Sequence, residues 1–369
     1  MNCSGGIQQN SGGRRQITER RLKQKKKRGQ DMFKYIIKRL LQLIPVLFGV
    51  SLIVFFLMRV CAPDPAPIVL GQHATRESME EWREANGLNE PVVTQYVDFI
   101  KGAVTGDLGT SYYTKAPVTK EIASRFPATV ELAIIAIILA AIFGIIIGVV
   151  SSVKKNSIFD NGGMLLSLVG VSVPIFWLGI MLIILFSGIL HWLPSSGRID
   201  PSLRPDTVTG FMIIDSIIQG DTVALKDAVV HMVLPAVTLS LHSMAIIARM
   251  TRSSMLETLN QDYIRTARAK GISEGKVTRK HALRNAMLPV TTVIGLQLGS
   301  LLGGAVLTES VYAWPGIGNY TVQCIMKSDF PVVQGVVLLI AVIFVLMNLI
   351  VDVIYAFLDP RIKFEKKEV

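Results

Sequence analysis

Between Leu132 and Val153 the chain reads LAIIAIILAAIFGIIIGVVSSV, 22 residues without one Asp, Glu, Lys or Arg. Coiled as a helix, a stretch of that length reaches about 33 Å, enough to cross the roughly 30 Å of hydrocarbon in a bilayer. Five other windows share its character: Leu40 to Met58, Asn161 to Gly197, Ala228 to Ala248, Asn285 to Thr308 and Phe330 to Val351. The window from Asn161 is longer than one crossing needs. Its apolar part puts the span at about Met164 to Leu190, with Trp192, Pro194 and Gly197 in the interface. A β-barrel would show alternating segments of about ten residues instead of continuous apolar runs. The patterning predicts an all-α membrane protein with six transmembrane helices.

Composition agrees. Half of the 369 residues are hydrophobic and 18% are charged, with a mean hydropathy of +0.47, which excludes an ordinary soluble globular protein. Of the 38 Lys and Arg, 27 fall in the segments 1–39, 152–160, 249–288 and 359–369, and 11 in the segments that alternate with them. Cytoplasmic segments retain positive charge, so both termini are expected in the cytoplasm. That asymmetry accounts for the net charge of +11; no soluble domain gathers it into a patch for nucleic acid. The first apolar stretch, 19 residues long, exceeds the ~7 to 15 of a signal peptide, and Val60-Cys61-Ala62-Pro63 is a poor cleavage site. It reads as an uncleaved span. Cys3, Cys61 and Cys324 make no disulfide framework, although Cys61 and Cys324 both fall near the outer face and leave one pairing open.

Residues 1–31, with the run Lys25-Lys26-Lys27-Arg28, lack the apolar content for a core and read as a disordered basic tail near anionic lipid. The segment 62–127 is expected to be a small helical extracytoplasmic subdomain, with helical patterning over Arg76–Asn86 and Pro91–Val104, and a short surface helix is expected over Phe211–Gln219. Between Arg249 and Pro289 the chain is polar yet patterned as helix. Leu256, Leu259, Tyr263 and Ala267 recur at helical spacing and are expected on one face. Gly271 interrupts as a C-cap glycine would, and Ser273 with Glu274 opens a second helix along which Lys276, Lys280 and Arg284 form a basic stripe. The unit reads as helix, tight turn, helix at the inner membrane surface.

Self-contained chemistry is missing. The nearest approach to a phosphate-cradling loop, Gly271 to Val277, has three residues between its glycines and Val277 where Ser or Thr should hold magnesium. No HExxH, GxSxG or zinc spacing occurs. Glu131, Arg249, Glu309 and Asp352 lie at span ends, within reach of the interface, and His242 and Asn348 lie deeper, where interhelical hydrogen bonding competes with substrate contact. No mid-membrane carboxylate or His pair stands out, which weighs against an ion-coupled secondary transporter. Gly295, Gly299, Gly303 and Gly304 lie on or near one side of the fifth span, with Ser300 beside them. Such a face either packs closely against a helix or lines a translocation path smoothly.

The polar loop carries Gln261-Asp-Tyr-Ile-Arg-Thr-Ala-Arg-Ala-Lys-Gly271 and His281-Ala-Leu-Arg-Asn-Ala-Met-Leu-Pro289. This resembles the EAA loop of binding-protein-dependent ABC importer permeases, in their dipeptide/oligopeptide branch. Arg265, Thr266 and Ala267 stand at the Glu-Ala-Ala positions and Gly271 matches, while Arg284 replaces the general proline and Pro289 arrives five residues later. Further matches are Tyr35 to Pro45, Gly106-Asp-Leu-Gly-Thr-Ser111, Leu193-Pro-Ser-Ser-Gly-Arg198, His231 to Pro235, Ala313-Trp-Pro-Gly-Ile-Gly318, Pro331 to Gly335 and Leu358 to Ile362. The early outer subdomain is similar to that of the B-type permease. Pro63-Asp64-Pro65 and the long tail depart from the branch.

The resemblance implies a type I importer permease fold divided into a tail (1–31), a first transmembrane helix (32–61), an extracytoplasmic subdomain (62–127), a core of five helices (128–358) holding the coupling loop 255–289, and a cytoplasmic tail (359–369). It implies a transport complex in a bacterial or archaeal cell membrane, with a second, C-type permease, two ABC ATPase subunits and an extracytoplasmic peptide-binding protein. ATP and magnesium would sit on the ATPases, and no cofactor on this chain. Asp262, Arg265, Thr266, Ala267, Arg268 and Gly271 are the residues the resemblance assigns to ATPase contact. Gly295, Gly299, Ser300 and Gly303 are the candidates for path lining. Nickel chelates, haem or glutathione are alternative cargoes within the family.

Overall fold

The structure, a computed structural model, describes residues 37, 39–71 and 73–358. The expected tails at 1–31 and 359–369 lie outside the described residues. Within them the regular elements are helical, apart from an isolated bridge between Thr110 and Pro117. In chain order they are α1 (Arg39–Val60), α2 (Pro65–Leu70), α3 (Arg76–Ala85), α4 (Val92–Thr105), α5 (Val118–Val153), α6 (Ile158–Ser172), α7 (Ile175–Leu182), α8 (Met212–Ile218), α9 (Thr222–Leu259), α10 (Asp262–Ala269), α11 (Glu274–Lys276), α12 (Arg284–Gly304), α13 (Val306–Val311), α14 (Ile317–Met326) and α15 (Phe330–Leu358). A π-helical stretch, Val277–Leu283, joins α11 to α12, so that Glu274–Gly303 forms one apolar rod.

Among the described residues five helices are long and apolar enough to cross a membrane: α1, α5, α9, the Glu274–Gly303 rod and α15. The sixth expected span is broken. α6 and α7 meet at an angle of 105°, because Pro174 has no N–H to continue the helix and its ring drives Val173 out of helical geometry, to φ −79° and ψ 128°. α7 then passes into a π-helical stretch, Ile183–Ile189.

α5 and α9 form the central seam. Gly144 and Gly148 let them touch: a methyl group on Gly148 would stand 2.5 Å from Thr251 Cβ and 2.6 Å from the Ala248 carbonyl oxygen. Around the seam Leu132, Ala136 and Ala140 of α5, Met232, Ala236 and Leu239 of α9, and Val290, Leu301 and Leu302 of α12 make the main core. Small residues suit this core because lipid tails are as apolar as Leu, so helices in a bilayer associate mainly through close packing.

The connections collect on two faces. One carries the 154–157 turn and the polar unit around α10; the opposite, distal face carries α2–α4, the 190–221 segment with α8, and the turns around α13 and α14. On the distal face Thr75 caps α3, its Oγ1 accepting from the Ser78 N–H at 3.2 Å. α4 lies along α1, with Tyr96 Oη 2.9 Å from Ser51 Oγ. Asp329 accepts from Ser111 Oγ at 2.5 Å and from the Tyr112 N–H at 3.1 Å, fastening the start of α15 to the 110–117 loop.

Glu131 and Glu309 differ from expectation. Instead of reaching an interface they are 6% and 0% exposed, because the protein supplies every partner they need. Glu131 accepts from Arg198 Nε at 3.0 Å and Nη2 at 2.5 Å, and from the Ile213 N–H at 2.8 Å. Arg198 Nη2 also donates to the Gly210 carbonyl at 2.9 Å. Glu309 accepts from Thr129 Oγ1 at 2.7 Å and from the Asn319 N–H at 2.9 Å. Burial pushes the Glu309 carboxyl above the usual carboxylate range, and those hydrogen bonds oppose the shift. Beside it, Trp314 is fully buried and donates Nε1–H to the Ala128 carbonyl at 2.9 Å. The glycines of the Trp314-Pro-Gly-Ile-Gly318 turn are steric requirements, since a side chain on Gly316 or Gly318 would run into the Glu309 carboxylate.

Two stability outcomes follow from this packing. Glu131→Gln leaves Arg198 without its counter-charge and should cost about 3–5 kcal/mol. It would be read as a lowered thermal midpoint of the purified protein, with Glu131→Leu/Arg198→Met recovering at least half of the loss. Gly148→Leu overpacks the α5–α9 seam and should cost at least about 1–3 kcal/mol, seen as loss of monodisperse protein on gel filtration.

Candidate functional site

The polar unit is built differently from the single amphipathic face that the spacing of Leu256, Leu259, Tyr263 and Ala267 suggests. α9 ends at Leu259, Gln261 is extended (ψ 149°), and α10 starts afresh at Asp262. Asn260 and Asp262 are residues whose side chains compete with helical backbone bonding, which favours a boundary there. As a result Tyr263 turns outward, and Ile264 and Ala267 point inward onto Met255, Val277, Ala282 and Ala286. Tyr263 stays useful: its hydroxyl accepts from Asn285 Nδ2 at 2.8 Å, tying α10 to the start of α12.

Gly271 closes α10 in the left-handed region, at φ +73°, with its N–H donating to the Arg268 carbonyl at 2.9 Å and the Ile272 N–H to Ala267 at 3.3 Å. No atom lies within 4 Å of where a Cβ would stand, so the requirement for glycine is conformational and not steric. Across the turn Arg268 grips Glu274 with both nitrogens, Nε to Oε1 at 2.8 Å and Nη2 to Oε2 at 3.3 Å. The second helix does not lie flat on the membrane surface; it is the first part of the Glu274–Gly303 rod.

Of the six residues assigned to this surface, Asp262, Arg265, Thr266, Arg268 and Gly271 are exposed, and Ala267 is 7% exposed and part of the small core beneath. The Asp262–Arg265 pair, 3.5 Å apart and almost fully solvated, adds little stability and leaves both groups free for a partner. Lys276, Lys280 and Arg284 are exposed as well. The neighbouring turn is held by Asp160, which takes Arg252 Nε at 2.6 Å and Nη2 at 2.8 Å. Such a surface is charged and largely solvated, with its apolar side chains gathered in the small core beneath.

The glycine stripe is occupied by the chain itself. Gly295 meets Val351, Gly299 lies 3.3 Å from Met347 Cβ and Gly303 3.2 Å from Ile340 Cγ2 when a Cβ is placed on each, so these three form the seam between α12 and α15. Ser300 alone is turned outward, with the edge of Gly303, into a groove of about 450 Å³ between α1, α12 and α15. Asn348, expected to bond between helices, leaves its buried Oδ1 without a partner among the described residues. Cys61 and Cys324 are both free, and burial pushes the Cys324 thiol up to about 11. The Glu131–Arg198 pair escaped the sequence because its partners are far apart in the chain; the only local sign was a charge at each edge of an apolar window.

Residues 140–364 match the family described as binding-protein-dependent transport system inner membrane component, and residues 32–133 match its N-terminal companion. The dipeptide transport system permease protein of Alkalihalophilus pseudofirmus is 48% identical over 90% of this chain and all of its own length. The di/tripeptide transport system permease protein of Pseudomonas aeruginosa is 45% identical over 91% of this chain and all of its own. The glutathione transport system permease protein of Escherichia coli is 41% identical over 90% and 100% of the two chains. With both halves matched and relatives aligned end to end, the chain belongs to the binding-protein-dependent inner membrane components, the multi-pass permeases of ABC importers.

Proposed function

We infer that this chain is one of the two membrane-spanning subunits of an importer for dipeptides and short oligopeptides. The observation that carries the mechanical part is the joining of α10, through the Gly271 turn, to a helix that continues as an apolar rod to Gly303. Support for the cargo comes from end-to-end similarity to permeases named for dipeptides and di/tripeptides. The similarity to a glutathione permease keeps that tripeptide as the second reading.

In this reading the chain pairs with a C-type permease in a bacterial or archaeal cell membrane, with the polar unit and both termini in the cytoplasm. The ATPase subunits, which hold the ATP and magnesium, contact the surface of Asp262, Arg265, Thr266, Arg268 and Gly271, while Ala267 shapes that contact from beneath. A peptide-binding protein delivers cargo to the distal face. ATP binding favours one of two arrangements of the paired permeases, so transport is a shift of population between inward- and outward-open states. The Gly295, Gly299 and Gly303 seam serves the path by letting α12 slide closely on α15, with Ser300 at its open edge.

The test is ATP-driven uptake of a labelled dipeptide into proteoliposomes holding the full complex. Gly271→Val must leave the left-handed region, and if the coupling free energy is the usual 1–3 kcal/mol, uptake should fall at least about fivefold at unchanged membrane insertion. Normal uptake by that variant removes the coupling role. Uptake by this chain alone under an ion gradient would establish a secondary transporter instead.

A further inference from the structure

On the distal face, a pocket of about 520 Å³ opens between the start of α5, the 197–212 segment and the turn before α14. Its polar lining includes three guanidinium groups, those of Arg125, Arg198 and Arg204, and its apolar lining includes Ile199, Met212 and Pro315. No carboxylate residue lines it. The three arginines differ in what they have left to give. Arg125 commits Nη1 to the Glu121 carboxylate, the Glu121 carbonyl and Ser124, and its plane stacks on Tyr320, with Cζ 3.9 Å from the ring centre. Arg198 commits Nε and Nη2 to Glu131 and Gly210, and its Nη1 has no partner among the described residues. Arg204 is exposed and makes no hydrogen bond or ion pair among them.

Among the residues that line the pocket, the charge count is therefore one unpaired cation beside two neutralised forks that still carry free N–H groups. Guanidinium forks suit planar or tetrahedral oxyanions. A single surplus charge matches a monoanion better than a dianion, and apolar walls suit an anion attached to hydrocarbon. The volume falls in the roughly 300–1,000 Å³ range of small-molecule sites. We propose that this pocket receives the free α-carboxylate of a short peptide as it leaves the binding protein, with Arg204 as the principal contact and Arg125 and Arg198 as fixed supports. The inference rests on the peptide-importer reading above.

Arg204 can be changed without disturbing the buried pairs. Equilibrium binding of the labelled dipeptide Ala-Leu and of its C-terminal amide is measured on the complete nanodisc-embedded transporter, without binding protein or nucleotide, for wild type, Arg204→Gln and Arg204→Lys. Loss of a charge-assisted hydrogen-bonded contact should weaken Ala-Leu binding about tenfold in Arg204→Gln, with Arg204→Lys intermediate, and the amide should bind wild type no better than Ala-Leu binds Arg204→Gln. Equal binding of acid and amide, indifference to Arg204→Gln, or no binding to wild type overturns the site. So does a loss confined to ATPase stimulation by peptide-free binding protein, which would make Arg204 a docking contact for an acidic group of that protein. ATP-driven uptake by wild type separates the two levels: if any of these results comes with normal dipeptide uptake, only the site fails, whereas absence of uptake of any peptide removes the importer reading itself.

Discussion

A charged pair taken out of water must be satisfied on every side, and at Glu131 and Arg198 that requirement organises the distal half of the molecule. The carboxylate needs more than the guanidinium, so it also takes the backbone N–H of Ile213, which fixes the start of α8. The guanidinium needs more than the carboxylate, so it takes the carbonyl of Gly210 and lies with Cζ 5.9 Å from the centre of the Trp314 ring. Two connections far apart in the chain, the 190–221 segment and the turn around Trp314, are thereby held to α5. Replacing a buried pair of this kind by well-packed hydrocarbon is often neutral for stability, whereas removing one partner is not.

The two faces solve opposite problems. The distal face joins loops to helices through buried polar contacts at Glu309, Asp329 and Glu131, and is thus a fixed platform. On the opposite face the polar unit has a small apolar core and keeps its charges in water, with bonds from Arg268 to Glu274 and from Tyr263 to Asn285 and the His281 carbonyl crossing its turn. A surface with few internal commitments can conform to a partner while its glycine-closed turn keeps the angle to the rod.

Much of this was legible in the sequence because apolar length and capping chemistry are local. Long windows gave the five unbroken spans, and Arg76, Pro91 and Gly271 marked boundaries close to where they fall. The remaining apolar window forms a pair of helices bent at 105°, a break that hydropathy does not register because the effect of Pro174 is on backbone geometry. The face assigned to Leu256, Leu259, Tyr263 and Ala267 failed for a related reason: periodicity continued across Asn260 and Gln261 while the backbone did not. Glu131 and Glu309 look like interfacial residues from hydropathy alone, since their partners are brought by tertiary structure. The glycine stripe was visible, but only the fold shows that α15 fills it.

The rod from Glu274 to Gly303 is about 45 Å long at 1.5 Å per residue, and Pro289, inside α12, stands at its midpoint. Each arm is then about 22 Å, and a tilt of about 10° around that point carries the two ends about 4 Å in opposite directions. Geometry alone makes the turn at Gly271 and the distal turn after Gly303 move in antiphase. A seesaw of this kind needs no chain of side-chain contacts to carry a signal across the membrane, only a fulcrum and stiffness.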